Sequence, residues 1–482
     1  MVIQEKNFME IINKIKDFLD SRLIISGMKM VMIAMLAVAG FSLLAFSYLP
    51  ISLILFVDLL IFLTIIFFKW INLGLYAMVL FFPFWGWQFI SGNINLPFVD
   101  LVAVALFAAM LIRTLMYGVA RLEGYEWPGF VYLKKFFGWQ YFLVFFLACS
   151  LALINNPDFL LGLKYLLRPI LFFYLMFVVL PTNIILEKRI FRKVIGLFLV
   201  SGTFVAVMGL FTVLMTPGGW FDRRAQPFPV LGVNLLGGNW NALAEVLVVA
   251  IPSILMYFVW SNKIKSRGWL LILGSFVVSV LLLTFSRSGW LVLLFQSIIL
   301  YFGFWGKKFF SQKSLVLIIL TLFIVTSFYV LVWGQVSQVR GSDSSRWLMT
   351  SVSWYHFVES PIIGNGLNTF NRIVGGTFVY AVEYGDPLDS HGFVQKLLTE
   401  TGALGFITFC LFLLYIYREI LTSYLKSTKT NRLILLFIVM MAGGVVFFQL
   451  FSTSYFLSKM WLPIGVALAG AKLYGKEYER SV

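Results

Sequence analysis

The sequence predicts an all-α polytopic membrane protein of about fourteen transmembrane helices (twelve to fourteen), with one large outer loop between the eleventh and twelfth spans. Three observations predict it. Hydrophobic residues make up 61% of the 482 and charged residues only 12%. A soluble domain carries about 25% charged residues, so no aqueous fold could hide this much apolar surface. Apolar runs long enough to cross a ~30 Å hydrocarbon layer recur along the whole chain. These runs also lack the apolar–polar alternation of barrel strands. That leaves helices, which satisfy their own backbone polar groups in lipid.

Residues 1–23 mix Lys, Glu and Asp with Ile3, Phe8, Ile11, Ile12, Ile15, Phe18 and Leu19. The one-sided helical spacing predicts an interfacial helix. A cleaved leader is not expected, because the next apolar run is too long and has no small-residue cleavage site. Fourteen spans are expected at 24–47, 49–68, 71–90, 97–116, 137–155, 159–180, 191–216, 240–260, 267–285, 288–305, 314–333, 392–416, 432–452 and 456–473. Residues 24–333 thus hold eleven spans, 334–391 the large extracytoplasmic loop, and 392–482 three spans and a tail. Within the loop, Ser353-Trp354-Tyr355-His356-Phe357 reads as an amphipathic helix with His356 structural.

The net charge of +16 is distributed as topology rather than as a nucleic-acid surface. One set of connections holds Lys69; Arg121, Lys134 and Lys135; Lys188, Arg189, Arg192 and Lys193; Lys263, Lys265 and Arg267; Lys307, Lys308 and Lys313; Arg418, Lys426, Lys429 and Arg432; and the tail with Lys472, Lys476 and Arg480. The alternate connections are nearly free of lysine. By the positive-inside rule the first set and both termini are cytoplasmic, and the second set lies outside. Cys149 and Cys410 both fall in apolar runs and read as packed thiols.

The outer connections nevertheless hold arginines: Arg223 and Arg224, Arg287 in the turn Thr284-Phe285-Ser286-Arg287-Ser288-Gly289-Trp290, and Arg340, Arg346 and Arg372 in the large loop. Lys164 and Arg168 lie in the sixth span near its outer end, four residues apart and so on one helix face. Charges within the hydrocarbon region usually face a polar cavity, although this pair could instead snorkel to the headgroups. Arginine's planar fork suits phosphate oxygens and stays charged. Several arginines converging on the outer face therefore point to a lipid-linked phosphate or diphosphate. Ion pairing with Asp222, Asp343, Glu359, Glu383 and Asp386 is the plainer reading for Arg340 and Arg372. It fits Arg287 poorly, because that residue's neighbours in the turn are small or apolar.

His391 can take a proton near neutral pH, as a transferase moving a sugar to a hydroxyl requires of a base; alone, it would also serve as a helix cap or surface residue. Glu400 lies about two and a half turns further on and reads as satisfying a buried partner between helices. Asp58 and Glu245 read as intramembrane acids in structural hydrogen bonds. No histidine–carboxylate cluster has metal-site spacing, and Asp386-Pro387-Leu388-Asp389 is a weak divalent-metal pattern. No Gly-rich nucleotide loop appears. No metal or cofactor is expected, and the activated donor should arrive from the lipid.

Ser286-Arg287-Ser288-Gly289-Trp290-Leu291 resembles the Ser-Arg-Gly motif that opens a span in the O-antigen ligase and O-antigen polymerase superfamily. Arg346-Trp347, and then Pro361-Ile362-Ile363-Gly364-Asn365-Gly366-Leu367-Asn368-Thr369-Phe370, resemble its arginine and its Pro-x-x-Gly-x-Gly-x-x-x-Phe stretch. The run from His391 to Glu400-Thr401-Gly402-Ala403-Leu404-Gly405 resembles its histidine box. Asn239-Trp240-Asn241 after Arg224 resembles its Asn-Pro-Asn segment. The four motifs stand in family order over about residues 220–410. Three departures are visible: Gly392 follows the histidine where asparagine is common, Trp240 replaces the proline, and the interval from Arg224 to Asn239 is long.

The resemblance implies a metal-independent, inverting membrane glycosyltransferase of the GT-C type in the bacterial cytoplasmic (inner) membrane, its active site facing outward. The implied donor is a glycan on undecaprenyl diphosphate. The implied acceptor is another lipid-linked repeat unit for a surface-polysaccharide polymerase, or a lipid A core or other acceptor for a ligase. Polymerase is the preferred expectation, on the longer chain and extra spans, and a chain-length regulator is a candidate further partner. Carried over, His391 would activate the acceptor hydroxyl, and Arg287 and Arg224 would hold the diphosphate. Lys164 and Arg168 would line the same pocket, with Arg346, Asn239, Asn241 and Glu400 orienting acceptor or loop. A transporter of lipid-linked oligosaccharide would also want outer cations, but no matching halves with paired broken helices are visible.

Overall fold

The computed structural model describes residues 27–46, 50–91, 94–122, 130–217, 223–230, 232–305, 337–385, 389–452 and 455–475. The expected interfacial helix at 1–23, the span at 314–333, Asp222, Asp386 and the tail with Lys476 and Arg480 lie outside the described residues, as does the Arg340 side chain. The described residues are mostly helical. Among the described residues, eight helices are long and apolar enough to cross a membrane, with shorter apolar helices beside them. The protein is therefore a multi-pass membrane protein.

The chain divides into two compact units. The first contains α1 (Gly27–Ala45), α2 (Ile51–Lys69), α3 (Ile71–Phe81), the strands β1 (Gln88–Ser91) and β2 (Ile94–Pro97), and α4 (Phe98–Leu122). Helix α2 packs against α1 and α4. Its buried Asp58 accepts a 2.6 Å hydrogen bond from Ser42 Oγ on one carboxyl oxygen, which lowers the cost of an acid among apolar neighbours. Arg113 of α4 is held by the Val131 and Phe68 carbonyls at 2.8 and 2.7 Å and stacks over Phe130. The third expected span, 71–90, is corrected here: α3 stops at Phe81. Pro83 follows within two residues and cannot extend a helix, lacking an N–H and clashing with the preceding turn. The chain then forms an antiparallel hairpin in which Phe89 pairs with Leu96.

The second unit, Phe82–Gly86 and Phe136–Val482, holds the remaining helices. These are α5 (Trp139–Ala152), α6 (Phe159–Ile184), α7 (Lys188–Met215), α8 (Trp240–Trp260), α9 (Ile264–Leu283) and α10 (Arg287–Trp305). After the gap in the described residues come α11 (Ser337–Glu359), α12 (Phe370–Gly375), α13 (Phe378–Tyr384), α14 (Phe393–Leu425), α15 (Lys429–Gln449) and α16 (Ser458–Gly475). Helix α8 packs against α7, α9 and α15, α15 against α10 and α16, and α16 against α6. Helices α8 and α16 are buried along nearly their whole lengths. Helix α6 departs from regular geometry at Pro169, which cannot bond the carbonyl of the preceding turn; the chain widens there into π-helical turns over Leu166–Leu171 and Phe173–Val179.

Two groups of contacts mark the two ends of this unit. At one end Lys188 lies over the Tyr474 ring, Arg192 lies over Trp260, Tyr257 donates to the Arg192 carbonyl, and Lys472 lies over Phe137. The start of α7 and the ends of α8 and α16 therefore meet, as the alternation of lysine-rich connections requires. The other group joins the connections before α8, between α9 and α10, and before α14. Helices α11 to α13 form a small layer there with a core of Met349, Phe370, Val374 and Tyr380.

Candidate active site

The first part of the site is a turn. Helix α9 ends at Leu283 and α10 begins at Arg287. Between them Phe285 takes φ 51°, a conformation that bulky residues avoid and that local contacts must sustain. Those contacts are present. Thr284 Oγ1 accepts from Ser286 N at 3.1 Å, Ser286 Oγ donates to Asn241 Oδ1 at 2.7 Å and accepts from Gly289 N at 3.2 Å, and Trp290 Nε1 donates to the Leu282 carbonyl at 3.1 Å. Gly289 has no room for a side chain, since a Cβ would stand 3.0 Å from Leu281 and 3.1 Å from Ala244. The serines and glycine of this motif thus shape the bend that sets Arg287 at the mouth of α10.

Arg224 and the two asparagines join the same turn. Asn239 caps α8, its side chain accepting from Ala242 N at 3.1 Å, which satisfies one of the free donors at a helix start. Asn241, two residues on, takes the Ser286 hydroxyl. Arg224 lies with its guanidinium 4.9 Å from the Trp240 ring and 5.9 Å from the Phe285 ring, and the neighbouring Ala225 N bonds the Leu283 carbonyl at 2.9 Å. The tryptophan in place of proline therefore supplies a cation–π partner. Burial lowers the Arg224 pKa, and the guanidinium stays charged at neutral pH.

His391 stands beside this turn. It precedes α14 in the segment Asp389-Ser390-His391-Gly392. Ser390 Oγ donates to the Gly392 carbonyl at 3.0 Å, and a Cβ on Gly392 would run into the Leu450 carbonyl. That close approach accounts for glycine where the resembling family commonly has asparagine. Burial first, and then the Arg346 guanidinium, holds the imidazole below its ordinary 6.5, at about 4; Arg287 adds to the lowering and Asp389 opposes it. Arg346, Arg287 and Asp389 are therefore the charges within electrostatic reach of the ring. Arg346 comes from α11, whose next turn packs on the top of α14: Gln395 Nε2 donates to Thr350 Oγ1 at 2.5 Å. The site can hold an anion beside a neutral imidazole.

The loop before α12 locks onto a break in α14. Gly402 has φ 63° and ψ −167°, which only glycine adopts readily. The break frees backbone groups that would be costly in lipid, and the loop satisfies them. Ala403 N and Leu404 N donate to the Pro361 and Ile362 carbonyls at 2.8 and 3.1 Å; Asn365 N and Gly366 N donate to the Thr399 and Glu400 carbonyls at 2.9 and 3.0 Å. The two backbones touch directly: a Cβ on Gly364, at φ 71°, would stand 2.6 Å from Gly402 N. Asn155 and Asn156 hold the other side of the loop through the Gly364 and Leu367 carbonyls at 2.8 and 2.7 Å. Glu400, fully buried, accepts from Phe370 N at 3.2 Å and so anchors the start of α12.

The other expected residues have these surroundings. Lys164 is exposed on α6 and makes no hydrogen bond or ion pair among the described residues; Arg168 is half-buried within the π-helical turns of α6. Arg372 is exposed, and His356 pairs with Glu359 at 2.8 Å. Glu245 is buried between Gln449 Nε2 at 2.5 Å and Lys459 Nζ at 3.4 Å. Reading the sequence missed Lys396 and the role of Asp389, which form an ion pair at 2.7 Å between a buried ammonium and a half-buried carboxylate; the spacing of Lys396 and Glu400 by four was the available signal. It also missed Lys459, which stands alone in an apolar run.

Residues 270–410 match the family described as O-Antigen ligase. No curated protein matches the chain. The matched segment contains Arg287, Arg346, the glycine loop, His391 and Glu400, and it bears out the resemblance to the O-antigen ligase and polymerase superfamily. Arg224, Asn239, Asn241, Lys164 and Arg168 precede it.

Proposed function

We propose that the protein is a glycosyltransferase that polymerises undecaprenyl-diphosphate-linked repeat units into a surface polysaccharide at the outer face of the cytoplasmic membrane. In this reading the chain has the GT-C type of architecture with about fourteen spans and cytoplasmic termini. The observation that carries it is the setting of His391 beside Arg287 and Arg346, with Arg224 on the same turn as Arg287, at the end of the bundle opposite the lysine-rich connections.

The chemistry follows from that setting. The diphosphate of the donor lies against Arg287 and Arg224, whose forks match its oxygens. His391 takes the proton of the acceptor hydroxyl through its free ring nitrogen. The hydroxyl oxygen attacks the anomeric carbon from the face opposite the diphosphate, so the configuration inverts. The bond from that carbon to the diphosphate oxygen breaks, and its electron pair leaves with the diphosphate. The extra negative charge develops where the guanidiniums already point, and stabilisation of that kind acts on the transition state more than on the bound donor. Arg346 supports the sugar or loop on the other side of the imidazole. Lys164 and Arg168 contribute positive potential towards the prenyl phosphate from α6.

A ligase is the second reading, favoured by the name of the matched family, O-Antigen ligase. Purified protein given lipid-linked repeat units and no second acceptor separates the two. A ladder of products is expected; absence of transfer until a lipid core acceptor is added replaces polymerase by ligase. His391→Ala is expected to abolish turnover while donor binding persists. Full transport of a lipid-linked glycan by that variant, with no new glycosidic bond in wild type, would establish a transporter instead.

A further inference from the structure

The ammonium of Lys396 is buried at the first turns of α14, 2% exposed, a costly place for a charge unless it is paired. Its Nζ lies 2.7 Å from Asp389 Oδ1 and 3.8 Å from Glu400 Oε1. The rings of Tyr165 and Phe456 each stand 5.6 Å away. Asp389 Oδ1 also accepts from Ser390 N at 2.9 Å. Two residues later comes His391, whose neighbouring charges are Arg287 from α10, Arg346 from α11 and the same Asp389. Among the described residues the turn is also held by the Ser390 hydroxyl and, at 3.5 Å, Lys396 N on the Gly392 carbonyl, and by Gly392 pressed on Leu450.

We propose that Lys396 is a positioning residue for His391: its buried ammonium grips the Asp389 carboxylate, and that grip fixes the short turn presenting the imidazole to Arg287 and Arg346. The ammonium also keeps the carboxylate from pairing with the imidazole. A carboxylate bonded to histidine would favour the protonated ring and draw the imidazole away from the two arginines. Glu400 joins the two functions of this region. It anchors α12 by one oxygen, and the same oxygen faces Lys396, so the glycine-loop lock and the histidine turn share one buried cation. Tyr165 and Tyr455, the other titratable groups packed on this cluster, close it from α6 and from the segment before α16.

The kinetic part of the proposal rests on the transferase reading, whereas the geometry does not, and the test separates them. The chain has two histidines, so full-length protein in nanodiscs labelled with 13C at histidine Cε1 gives two resonances, assigned with His356→Gln. In wild type the His391 resonance is expected to stay unprotonated between pH 5 and 8. In Lys396→Met the carboxylate is released towards the ring, and the His391 midpoint is expected to rise by at least one unit into that window. Adding Asp389→Asn to Lys396→Met should return it to the wild-type pattern. A His391 midpoint that stays put or falls in folded Lys396→Met overturns the proposal, as does a double variant that behaves like the single one.

If Lys396→Met does not fold, Asp389→Asn decides, because it leaves the ammonium with Glu400. A broadened or shifted His391 resonance and a kcat at least tenfold lower, with donor KM within twofold, support the grip; an unchanged resonance and kcat refute it. Absence of glycan transfer by wild type would sink the transferase reading alone, and the resonances would still judge the role of Lys396.

Discussion

Donor binding should switch on the base. With the donor site free of diphosphate, Arg346 and Arg287 help to hold His391 at about 4. Such a ring is neutral and able to receive a proton at neutral pH, but it is a weak base, since proton transfer is most effective when the pKa lies near the working pH. A diphosphate against the two arginines places negative charge within reach of the same ring. An opposite charge at about 4–6 Å raises such a group by about 1–3 units. Starting from about 4, the bound ring should titrate at roughly 5–7. The acid limb of kcat/KM, which reports the free enzyme, should therefore lie near pH 4, and the limb of kcat, which reports the donor complex, one to three units higher by the same estimate. Arg346→Gln removes the larger of the two cationic influences on the ring and should move the kcat/KM limb upward by about one unit. Initial rates of transfer from a lipid-linked donor, measured from pH 4 to 8 at limiting and saturating donor, supply both profiles. Coincident limbs, or a kcat/KM limb that Arg346→Gln leaves in place, would refute the electrostatic coupling.

Three further outcomes are expected. His391 resists protonation in the fold, so between about 6.5 and 4 the unfolded chain binds a proton that the native chain does not. Its contribution to stability is complete above about pH 6.5 and is lost as pH falls towards 4, on the order of 3 kcal/mol in all. Thermal unfolding across that range should show the loss, and His391→Gln should flatten it. Gly402→Ala forces a side chain into a positive-φ break and onto the Ile362 carbonyl; the backbone conformation alone should cost about 1–3 kcal/mol, seen as a lower melting temperature and lost activity. Lys459→Met leaves Glu245 buried without its cation, at a cost of about 3–5 kcal/mol. Glu245→Gln combined with Lys459→Met should recover most of that in the same melting assay.

How much of the site was legible depends on how local each signal is. Serine, arginine, serine and glycine around Arg287 act within one turn, and their spacing could be read directly. The histidine box was equally visible. Glu400 and the glycines near it were visible as a motif, but their purpose was not: Gly364 and Gly402 are required by each other, across 38 positions of chain. The third span overran because residues 82–90 are as apolar as a helix, while Pro83 and the hairpin after it set where the helix ends. Lys396 drew no assignment from the sequence because its partner Asp389 precedes it in a loop.

Composition and run length alone settled that this chain lives in lipid as a bundle of helices, because the hydrocarbon layer tests each segment by itself: a segment is apolar over enough residues or it is not. The alternation of lysine between connections likewise needed no partner to be read. Which cations meet was decided only when the helices packed. The Arg224 guanidinium lies over Phe285, the Arg346 charge acts on the His391 ring, and the Lys396 ammonium is clamped between Asp389 and Glu400, because buried charges are tolerated only where distant segments bring them a counter-charge or an aromatic face, and that pairing is a property of the assembled bundle.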